Sequence, residues 1–385
     1  MPPLYFDNAA TSYPKPPEVF DAMQRFMAEA GGNPGRSGHR LATGAEATVS
    51  AARQAVARFF GLADPRRCIF TLNGSDALNM ALKGILRPGD HAVTSSLEHN
   101  SVNRPLQRLA DEGSISFDRV AGTVDGLWTV DAVLRALRPT TRLVALTHCP
   151  NAVGVLCPVE DLGRELRAHH PRVLFLVDAS QSAGIVPLDM EAAGIDVLAF
   201  AGHKALYGPP GTGVLLVGPR IETEDLQPWR EGGTGGDSAS PQQPREWPHF
   251  WEGGTPNTMG IAGLLAGIRF LQRQPPGAIL THERSLVNRM IEGLAGDDRF
   301  TLHGTTDANR KIGALSLTVR DHDPAEVALI LDQAFGICAR PGLHCAPYAH
   351  RTLGTFPGGT LRFSPGFFNT LDEADRVVQA LKEIA

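Results

Sequence analysis

An excess of charge of one sign, long apolar runs and paired cysteines are all missing from this chain of 385 residues. Lysine and arginine number 36 against 41 aspartates and glutamates, so the formal net charge is −5. Basic residues form no stripe, and this balance excludes a nonspecific nucleic-acid-binding surface. No uncharged stretch approaches the roughly 20 apolar residues that span a bilayer. The longest uncharged stretches, such as residues 205–219, are broken by Gly and Pro, so we expect no membrane segment.

Cysteine is also scarce, and its spacing excludes a disulfide framework. The five cysteines are scattered and include no C-x-x-C pair. The first ten residues contain no basic segment followed by an apolar one, so we expect no signal peptide. No internal repeat or heptad run is visible. We therefore predict a cytoplasmic globular protein that keeps its thiols reduced.

Short apolar runs alternate with segments of helical periodicity. Helical spacing occurs at residues 49–59 and 74–86, and again at residues 260–272, 278–294, 324–334 and 372–384. Compact β-like runs occupy residues 142–147, 173–177, 197–200, 214–217, 312–319 and 360–364. Strands separated by helices predict βαβ units and a mostly parallel sheet, whose ligands bind at the carboxyl ends of the strands. Residues 231–248, rich in Gly, Ser, Gln and Pro, predict a long loop.

The most informative segment is residues 197–213, VLAFAGHKALYGPPGTG. An apolar strand runs into Gly202-His203-Lys204, and a lysine at such a strand end is placed for a lowered pKa and Schiff-base chemistry. Taken alone, it also fits a surface lysine at a strand end. The glycines that follow do not form a P-loop.

A second strand, in VLFLVDASQ, ends at Asp178. By itself such an aspartate also fits a cap or a turn former. Together with Lys204 it meets two requirements of a pyridoxal 5'-phosphate site, a carboxylate for the pyridine nitrogen and an amine for the imine.

A phosphate site would need a glycine turn that enters a helix. The segment TLNGSDALNMAL supplies one, in which Gly74 and Ser75 begin the helix. Backbone N–H groups at a helix N-terminus, with a serine hydroxyl, bind anions. A simple capping turn explains the same residues equally well when they are taken alone.

Seven motifs in one order carry a resemblance that covers essentially the whole chain. They are NGSDALN (73–79), LEHN (97–100), HCPNAVG (148–154), VDASQ (177–181), AGHK (201–204), EGGTPN (252–257) and RPGLHCAP (340–347). The set resembles the class V, fold-type I enzymes dependent on pyridoxal phosphate, and among them the SufS-like branch of the cysteine desulfurase and selenocysteine lyase family.

The resemblance implies an α/β fold with a large domain, built on a mostly parallel seven-stranded sheet between helices, and a smaller α+β domain at the C-terminal end. It assigns residues 15–264 to the large domain and residues 1–14 and 265–385 to the small one. It also implies a homodimer. The small domain would carry the catalytic cysteine loop.

Site roles follow from the same resemblance. Lys204 would bind the cofactor as a Schiff base, Asp178 would hold its ring nitrogen protonated, and His99 would stack on the ring and could transfer protons. The cofactor would also be held by Asn151 and Gln181 at its phenolic oxygen, by Ser75 and His203 at its phosphate, by Gly74 and Asp76 nearby, and by Thr255 of a second copy. Arg362 would bind the substrate carboxylate, with Arg340, Asn151 and His39 also at the substrate. The family has Ser or Thr where this chain has Ala201, so one phosphate hydrogen bond is lost or replaced.

Cys345 is the residue that distinguishes a sulfur-transfer reaction from the other reactions of this family. It lies in a Gly- and Pro-rich loop beside Arg340 and His344, a setting that favours a thiolate. The resemblance implies that Cys345 takes sulfur from L-cysteine as a persulfide and passes it to an acceptor protein, leaving L-alanine.

Three alternative functions stay open. They are a selenocysteine lyase or cysteine sulfinate desulfinase, another class V reaction such as transamination, and an inactive scaffold. The other four cysteines read as packing residues, Cys149 less securely, and no metal site is expected.

Overall fold

A computed structural model describes residues 3–35, 38–234 and 239–385. Its helices are α1 (Pro17–Glu29), α2 (Arg40–Phe59), α3 (Gly74–Ile85), α4 (Asn100–Asp111), α5 (Val130–Arg135), α6 (Val159–His169), α7 (Thr258–Arg273), α8 (Ala278–Leu294), α9 (Pro324–Phe335), α10 (Pro347–Thr352) and α11 (Leu371–Ile384). Part of the predicted loop, residues 235–238, lies outside the described residues. Among the described helices, none is both long and apolar enough to cross a membrane.

The strands form three sheets. They are β1 (Leu4–Tyr5), β2 (Cys68–Thr71), β3 (His91–Ser95), β4 (Ser116–Val120), β5 (Thr141–Thr147), β6 (Leu174–Asp178), β7 (Val197–Ala201), β8 (Gly213–Val217), β9 (Phe300–His303), β10 (Leu315–Val319), β11 (Ile337–Cys338), β12 (Arg340–Gly342) and β13 (Thr360–Phe363). The largest sheet has the order β2-β8-β7-β6-β5-β3-β4. Only β8 runs in the direction opposite to the other six strands, so the predicted, mostly parallel seven-stranded sheet is confirmed.

Both faces of this sheet are covered, which explains why its strands are apolar without interruption. Along β5, Val144 and Leu146 belong to one buried cluster, whereas Leu143 and Ala145 belong to the cluster on the opposite face. The first cluster includes residues of α2, α6 and α7, and the second includes residues of α3 and α4. Successive strand residues point to opposite faces, so this period of two divides the core into two layers.

The smaller α+β unit contains the antiparallel sheet β12-β13-β10-β9 and its own buried cluster with α8, α9 and α11. The N-terminus joins this unit, because β1 pairs with β11 and Asp7 bridges to Ser364. The domain limits predicted from the sequence stay predictions. Helix α7 runs unbroken across the predicted limit at residue 264.

A buried carboxyl group in α8 predicts a measurable pH dependence of stability. Glu283 is 3% exposed and accepts a hydrogen bond from the Gly313 N–H at 3.1 Å. Burial raises the pKa of Glu283 from 4.5 to about 8. Within the window between these two pH values, the folded protein therefore holds a proton that the unfolded protein releases. This group therefore lowers the free energy of unfolding as the pH rises through the window, by about 1.4 kcal/mol per pH unit.

We expect Glu283→Gln, which keeps an acceptor oxygen but cannot ionise, to gain stability relative to the wild type as the pH rises from 4.5 to about 8. Denaturant unfolding of both proteins across this range measures the difference. Glu292→Gln, at an exposed position on the same helix, is the control. A difference between Glu283→Gln and the wild type that does not change with pH contradicts the prediction.

Candidate active site

The candidate site is a cavity of about 230 Å³ at the carboxyl edge of the large sheet. Thr147, Asp178 and Ala201, the last residues of β5, β6 and β7, all line it. These three strands are parallel neighbours, so their ends meet at one edge. This is the position at which open α/β sheets bind ligands.

The cavity collects most of the residues predicted from the sequence. Those lining it are Gly74, Ser75, His99, Asn151, Asp178, Gln181, His203, Lys204, Arg340, Cys345 and Arg362. Ala201, at the position where the resemblance implies Ser or Thr, lies in the same wall. The roles assigned to these residues stay predictions, but their proximity in space is now an observation.

Three predicted residues lie elsewhere. Asp76 accepts a hydrogen bond from the Leu72 N–H at 3.0 Å, and His39 is exposed and caps α2 through the Ala42 N–H. Thr255 lines a separate cavity, whose wall includes the end of β2 and the start of β8. Because Thr255 was assigned to the site of a second copy, a single chain does not test its role.

Lys204 and Asp178 form the electrostatic centre of the cavity. Burial lowers the pKa of Lys204 to about 8, and the nearby Asp178 carboxylate opposes this shift. Asp178 is 6% exposed, and its Oδ1 accepts a hydrogen bond from the Ser180 N–H at 2.9 Å. No hydrogen bond to the other carboxylate oxygen is formed by the described residues. The cavity is thus lined by the Lys204 amine, whose pKa is lowered, and by the buried Asp178 carboxylate, only one of whose oxygens accepts a hydrogen bond from the described residues.

The turn that carries Lys204 is clamped by the N-terminal segment. The Ser12 hydroxyl donates to the Lys204 carbonyl at 2.9 Å, and the Lys15 ammonium donates to the His203 carbonyl at 2.6 Å. Lys15 also donates to the Ser12 Oγ at 2.7 Å. Burial lowers the pKa of Lys15 to about 8. These bonds fix the backbone on which Lys204 stands.

The N-terminus of α3 forms the polar end of the cavity. Asn73 caps this helix, because its side chain accepts from the Asp76 N–H at 2.9 Å. A Cβ added to Gly74 would stand 3.0 Å from the Ser180 Oγ and 3.3 Å from the Ala201 nitrogen, so only glycine fits this approach without a shift. The Ser75 hydroxyl lies 2.5 Å from that of Ser101. Helix-terminal N–H groups beside hydroxyls form an anion site.

His99 stands between this anion site and Lys204 in a defined protonation state. Its Nδ1 accepts from the Ser101 N–H at 3.0 Å, so the proton of the neutral ring is on Nε2. Burial lowers the pKa of His99 to about 4, and the charge on Lys204 acts in the same direction. The ring is therefore neutral at neutral pH.

Arg362 enters the cavity from β13 and is 1% exposed. It donates to the Asp7 Oδ1 at 2.8 Å and to the Asn151 carbonyl at 3.0 Å. Its buried Nε has no partner among the described residues, nor has the Asn151 Oδ1. The guanidinium is thus oriented by the protein while part of its donor set stays available for a planar anion.

Cys345 is the exposed cysteine of this chain. Cys68, Cys149 and Cys157 are buried, and burial raises the pKa of Cys68 to about 12 and those of Cys149 and Cys157 above the ordinary range. Cys338 is partly buried, with its Sγ 3.8 Å from an oxygen of Asp332. Cys149 lines the cavity, yet a buried thiol with a raised pKa is a poor nucleophile.

The backbone around Cys345 is held in an unusual conformation. His344 and Cys345 have φ angles of 49° and 56°, in the left-handed region that non-glycine residues rarely occupy. The Asn151 side chain donates to the His344 carbonyl at 2.6 Å, and the Asn100 N–H donates to the Cys345 carbonyl at 2.8 Å. Such strain costs about 1–3 kcal/mol per residue and persists where surrounding contacts over-determine it.

Sequence reasoning missed several residues of the site. Ser101 and Ser180 add hydroxyls to the cavity wall, and Asp7 orients Arg362. The serines each lie within two residues of an assigned residue, so local spacing was a usable signal. Asp7 and Arg362 are far apart in the sequence, and no local signal joins them. No cluster of three or more potential metal ligands occurs among the described residues.

The chain is similar to known proteins in both sequence and structure. The family model for class-V aminotransferases matches residues 4–377. A probable cysteine desulfurase from Methanothermobacter thermautotrophicus is 35% identical over 99% of this chain and 94% of its own length. A cysteine desulfurase structure from Thermococcus onnurineus, described as the apo form, superposes with a TM-score of 0.93, at 34% identity over 99% of this chain and 94% of that one. The structure of a cysteine desulfurase from Escherichia coli in an S-sulfonic acid form superposes with a TM-score of 0.86, at 28% identity over 99% of this chain and 94% of that one.

Proposed function

This chain belongs to the class-V aminotransferase family, and from that membership we propose that it is a cysteine desulfurase dependent on pyridoxal phosphate. The observation that carries the proposal is a single cavity that presents the Lys204 amine, the Asp178 carboxylate and the exposed Cys345 thiol. The first two suit a pyridoxal cofactor, and the third suits sulfur transfer. An aminotransferase reaction would have no use for the thiol.

The polar groups of the cavity fit pyridoxal phosphate. The α3 N-terminus with Ser75, and His203 beside it, would hold the phosphate. Asp178, one of whose carboxylate oxygens accepts no hydrogen bond from the described residues, would pair with the ring nitrogen. The orphaned Oδ1 of Asn151 is a buried acceptor that a cofactor or substrate donor would satisfy. When bound, the cofactor would supply an electron sink for negative charge at the substrate Cα.

Proton transfer falls to Lys204. Its buried amine has a lowered pKa and faces the cavity, so it can accept the Cα proton of an amino acid held there. Asp178 would hold a proton on the pyridine nitrogen. The neutral ring of His99, with its proton on Nε2, would stack against the cofactor and is a second group able to donate a proton.

Cys345 would perform the sulfur step. Its thiolate attacks the substrate sulfur, so that a new S–S bond forms and the Cβ–S bond of L-cysteine breaks. The electron pair of that bond is finally protonated at Cβ. In sum, L-cysteine and the Cys345 thiol give L-alanine and a Cys345 persulfide, and no external oxidant is needed. Arg362 would hold the substrate carboxylate as a bidentate pair.

Two partners complete the proposal. A second copy of this chain would bring Thr255 to the phosphate, as in a homodimer. A sulfur-acceptor protein would take the persulfide sulfur from the exposed Cys345. All five cysteines are free thiols, which suits the reducing cytoplasm.

Mass spectrometry of Cys345 after incubation of the cofactor-loaded protein with L-cysteine tests this function. We expect the peptide that carries Cys345 to gain the mass of one sulfur atom, with L-alanine released in equal amount. The peptide with the buried Cys149 is the internal control. Sulfur on Cys149, or on neither peptide, refutes the assignment.

A further inference from the structure

A series of hydrogen bonds runs from the Arg340 backbone, through two buried histidines, to Thr355. The His344 Nε2 lies 3.0 Å from the Arg340 carbonyl oxygen, and its Nδ1 lies 3.2 Å from the His350 Nε2. The His350 Nδ1 lies 2.7 Å from the Thr355 Oγ1. His344 is 3% exposed and His350 is fully buried.

The hydrogen-bond partners of the two rings determine which ring nitrogens carry protons. A carbonyl oxygen only accepts, so the His344 Nε2 carries its proton and the Nδ1 of the neutral ring is an acceptor. The His350 Nε2 must then donate, which leaves its Nδ1 to accept from the Thr355 hydroxyl. Each of the four ring nitrogens therefore donates or accepts one hydrogen bond. Every bond of the series is donated in the direction from Thr355 to Arg340.

This direction requires both rings to be neutral, and their surroundings make them so. Burial lowers the pKa of His344 to about 3 and that of His350 to about 4. The positive charge of Arg362 acts on both rings in the same direction, as does that of Arg340 on His344. The hydrogen-bond chain is thus intact at neutral pH.

This series of hydrogen bonds connects the Cys345 loop to the elements on either side of it. Arg340 lies in β12, before the loop, and His350 lies in α10, after it. His344 stands between them and directly precedes Cys345, and both residues have positive φ angles. An ordinary core histidine needs one partner, whereas this pair connects both flanks of a strained turn. Without the connection the turn can relax and the thiol can move.

We propose that His350 and Thr355 are positioning residues that act through His344 to hold the Cys345 thiol against the cavity. Neither touches the reacting atoms. This inference rests on the proposed function, in which the Cys345 thiolate attacks the substrate sulfur. Misplacing a reacting group by about 1 Å can cost on the order of 100-fold in rate.

The test compares His350→Leu with His350→Gln in the cofactor-loaded protein. Leucine removes the donor to His344, whereas the glutamine amide nitrogen replaces the His350 Nε2 as a donor. We expect His350→Leu to slow formation of the Cys345 persulfide in a single turnover by about 10- to 100-fold, and His350→Gln to recover most of this loss. Exchange of the Cα proton of L-alanine for deuterium, which needs Lys204 but not Cys345, should be unchanged in both. His169→Leu, at an exposed position, is the control.

The outcomes separate this inference from the proposed function. A wild-type protein that forms no persulfide refutes the function. A wild type that forms it, with His350→Leu equally fast, overturns the inference, as does equal slowing of Cα exchange and persulfide formation. Thr355→Val, which removes one hydroxyl at nearly constant volume, decides the matter if His350→Leu does not fold. We expect it to slow the persulfide step alone, and an unchanged persulfide rate overturns the inference.

Discussion

Replacing Cys345 by alanine is expected to abolish sulfur transfer from L-cysteine while Cα chemistry continues. Cys345 is the exposed thiol in the cavity, and the buried Cys149 cannot replace it because burial raises the pKa of its thiol. Removal of a covalent nucleophile costs several orders of magnitude, so sulfide and alanine production should fall by roughly 10³-fold or more. Exchange of the Cα proton of L-alanine should stay near the wild-type rate, since Lys204 is untouched.

The same variant separates the alternative reactions. Selenium departs more readily than sulfur, so retained activity on L-selenocysteine with activity lost on L-cysteine fits a desulfurase that also has lyase capacity. Equal activity of Cys345→Ala and the wild type on both substrates contradicts the persulfide mechanism. 3-Mercaptopyruvate in place of alanine as the product of L-cysteine indicates transamination. Cys149→Ala and Cys338→Ala are the matched controls and should keep the sulfur-transfer activity.

Replacing Lys204 by alanine is expected to stop the reaction before any sulfur chemistry. The variant loses the amine that binds the cofactor covalently and accepts the Cα proton. Loss of the proton transfer alone costs about 10²- to 10⁴-fold, so both Cα exchange and persulfide formation should fall by at least this factor. Deuterium uptake by L-alanine and the mass of Cys345 measure the two steps.

A second measurement shows whether Lys204 binds the cofactor. Borohydride reduction after addition of pyridoxal phosphate should attach the cofactor to the peptide of Lys204 in the wild type and in Lys382→Ala, at an exposed position in α11. Added methylamine should restore part of the Cα exchange in Lys204→Ala, because it can occupy the space of the missing amine. Full exchange in this variant without amine contradicts the assignment. A wild type that binds no cofactor supports an inactive scaffold.

Much of the site follows from short segments of sequence. Lys204 and Asp178 each stand at the end of an apolar strand, and Gly74 and Ser75 stand where a strand passes into a helix. Parallel strands place their carboxyl ends at one edge, so these residues meet without further information. Periodicity also predicted the positions of β5 to β8, β10 and β13, although it did not predict β3, β4 or β9.

Other parts could not be predicted from local patterns. The pair between Arg362 and Asp7 depends on the N-terminal segment reaching β13, where Asp7 bridges to Ser364, and residues that distant share no periodicity. His344 precedes α10 whereas His350 lies within it, so no single helical or strand repeat relates the two residues and no sequence pattern marks their contact. The predicted domain limit at residue 264 carries no physical signal, because α7 is continuously apolar through it.

By itself the sequence determined the chemical groups of this protein: an aspartate that ends one apolar strand, a lysine just after another, an anion-binding turn at the start of a helix, and a cysteine in a later loop. These features are local, since propensity, periodicity and turn chemistry act over a few residues. Only the tertiary structure decided which thiol is exposed in the cavity and which are buried, how Arg362 is oriented, and what holds the left-handed turn at Cys345. Burial and hydrogen-bond partners come from segments that meet only when the chain folds, and they set the pKa and the position of each group.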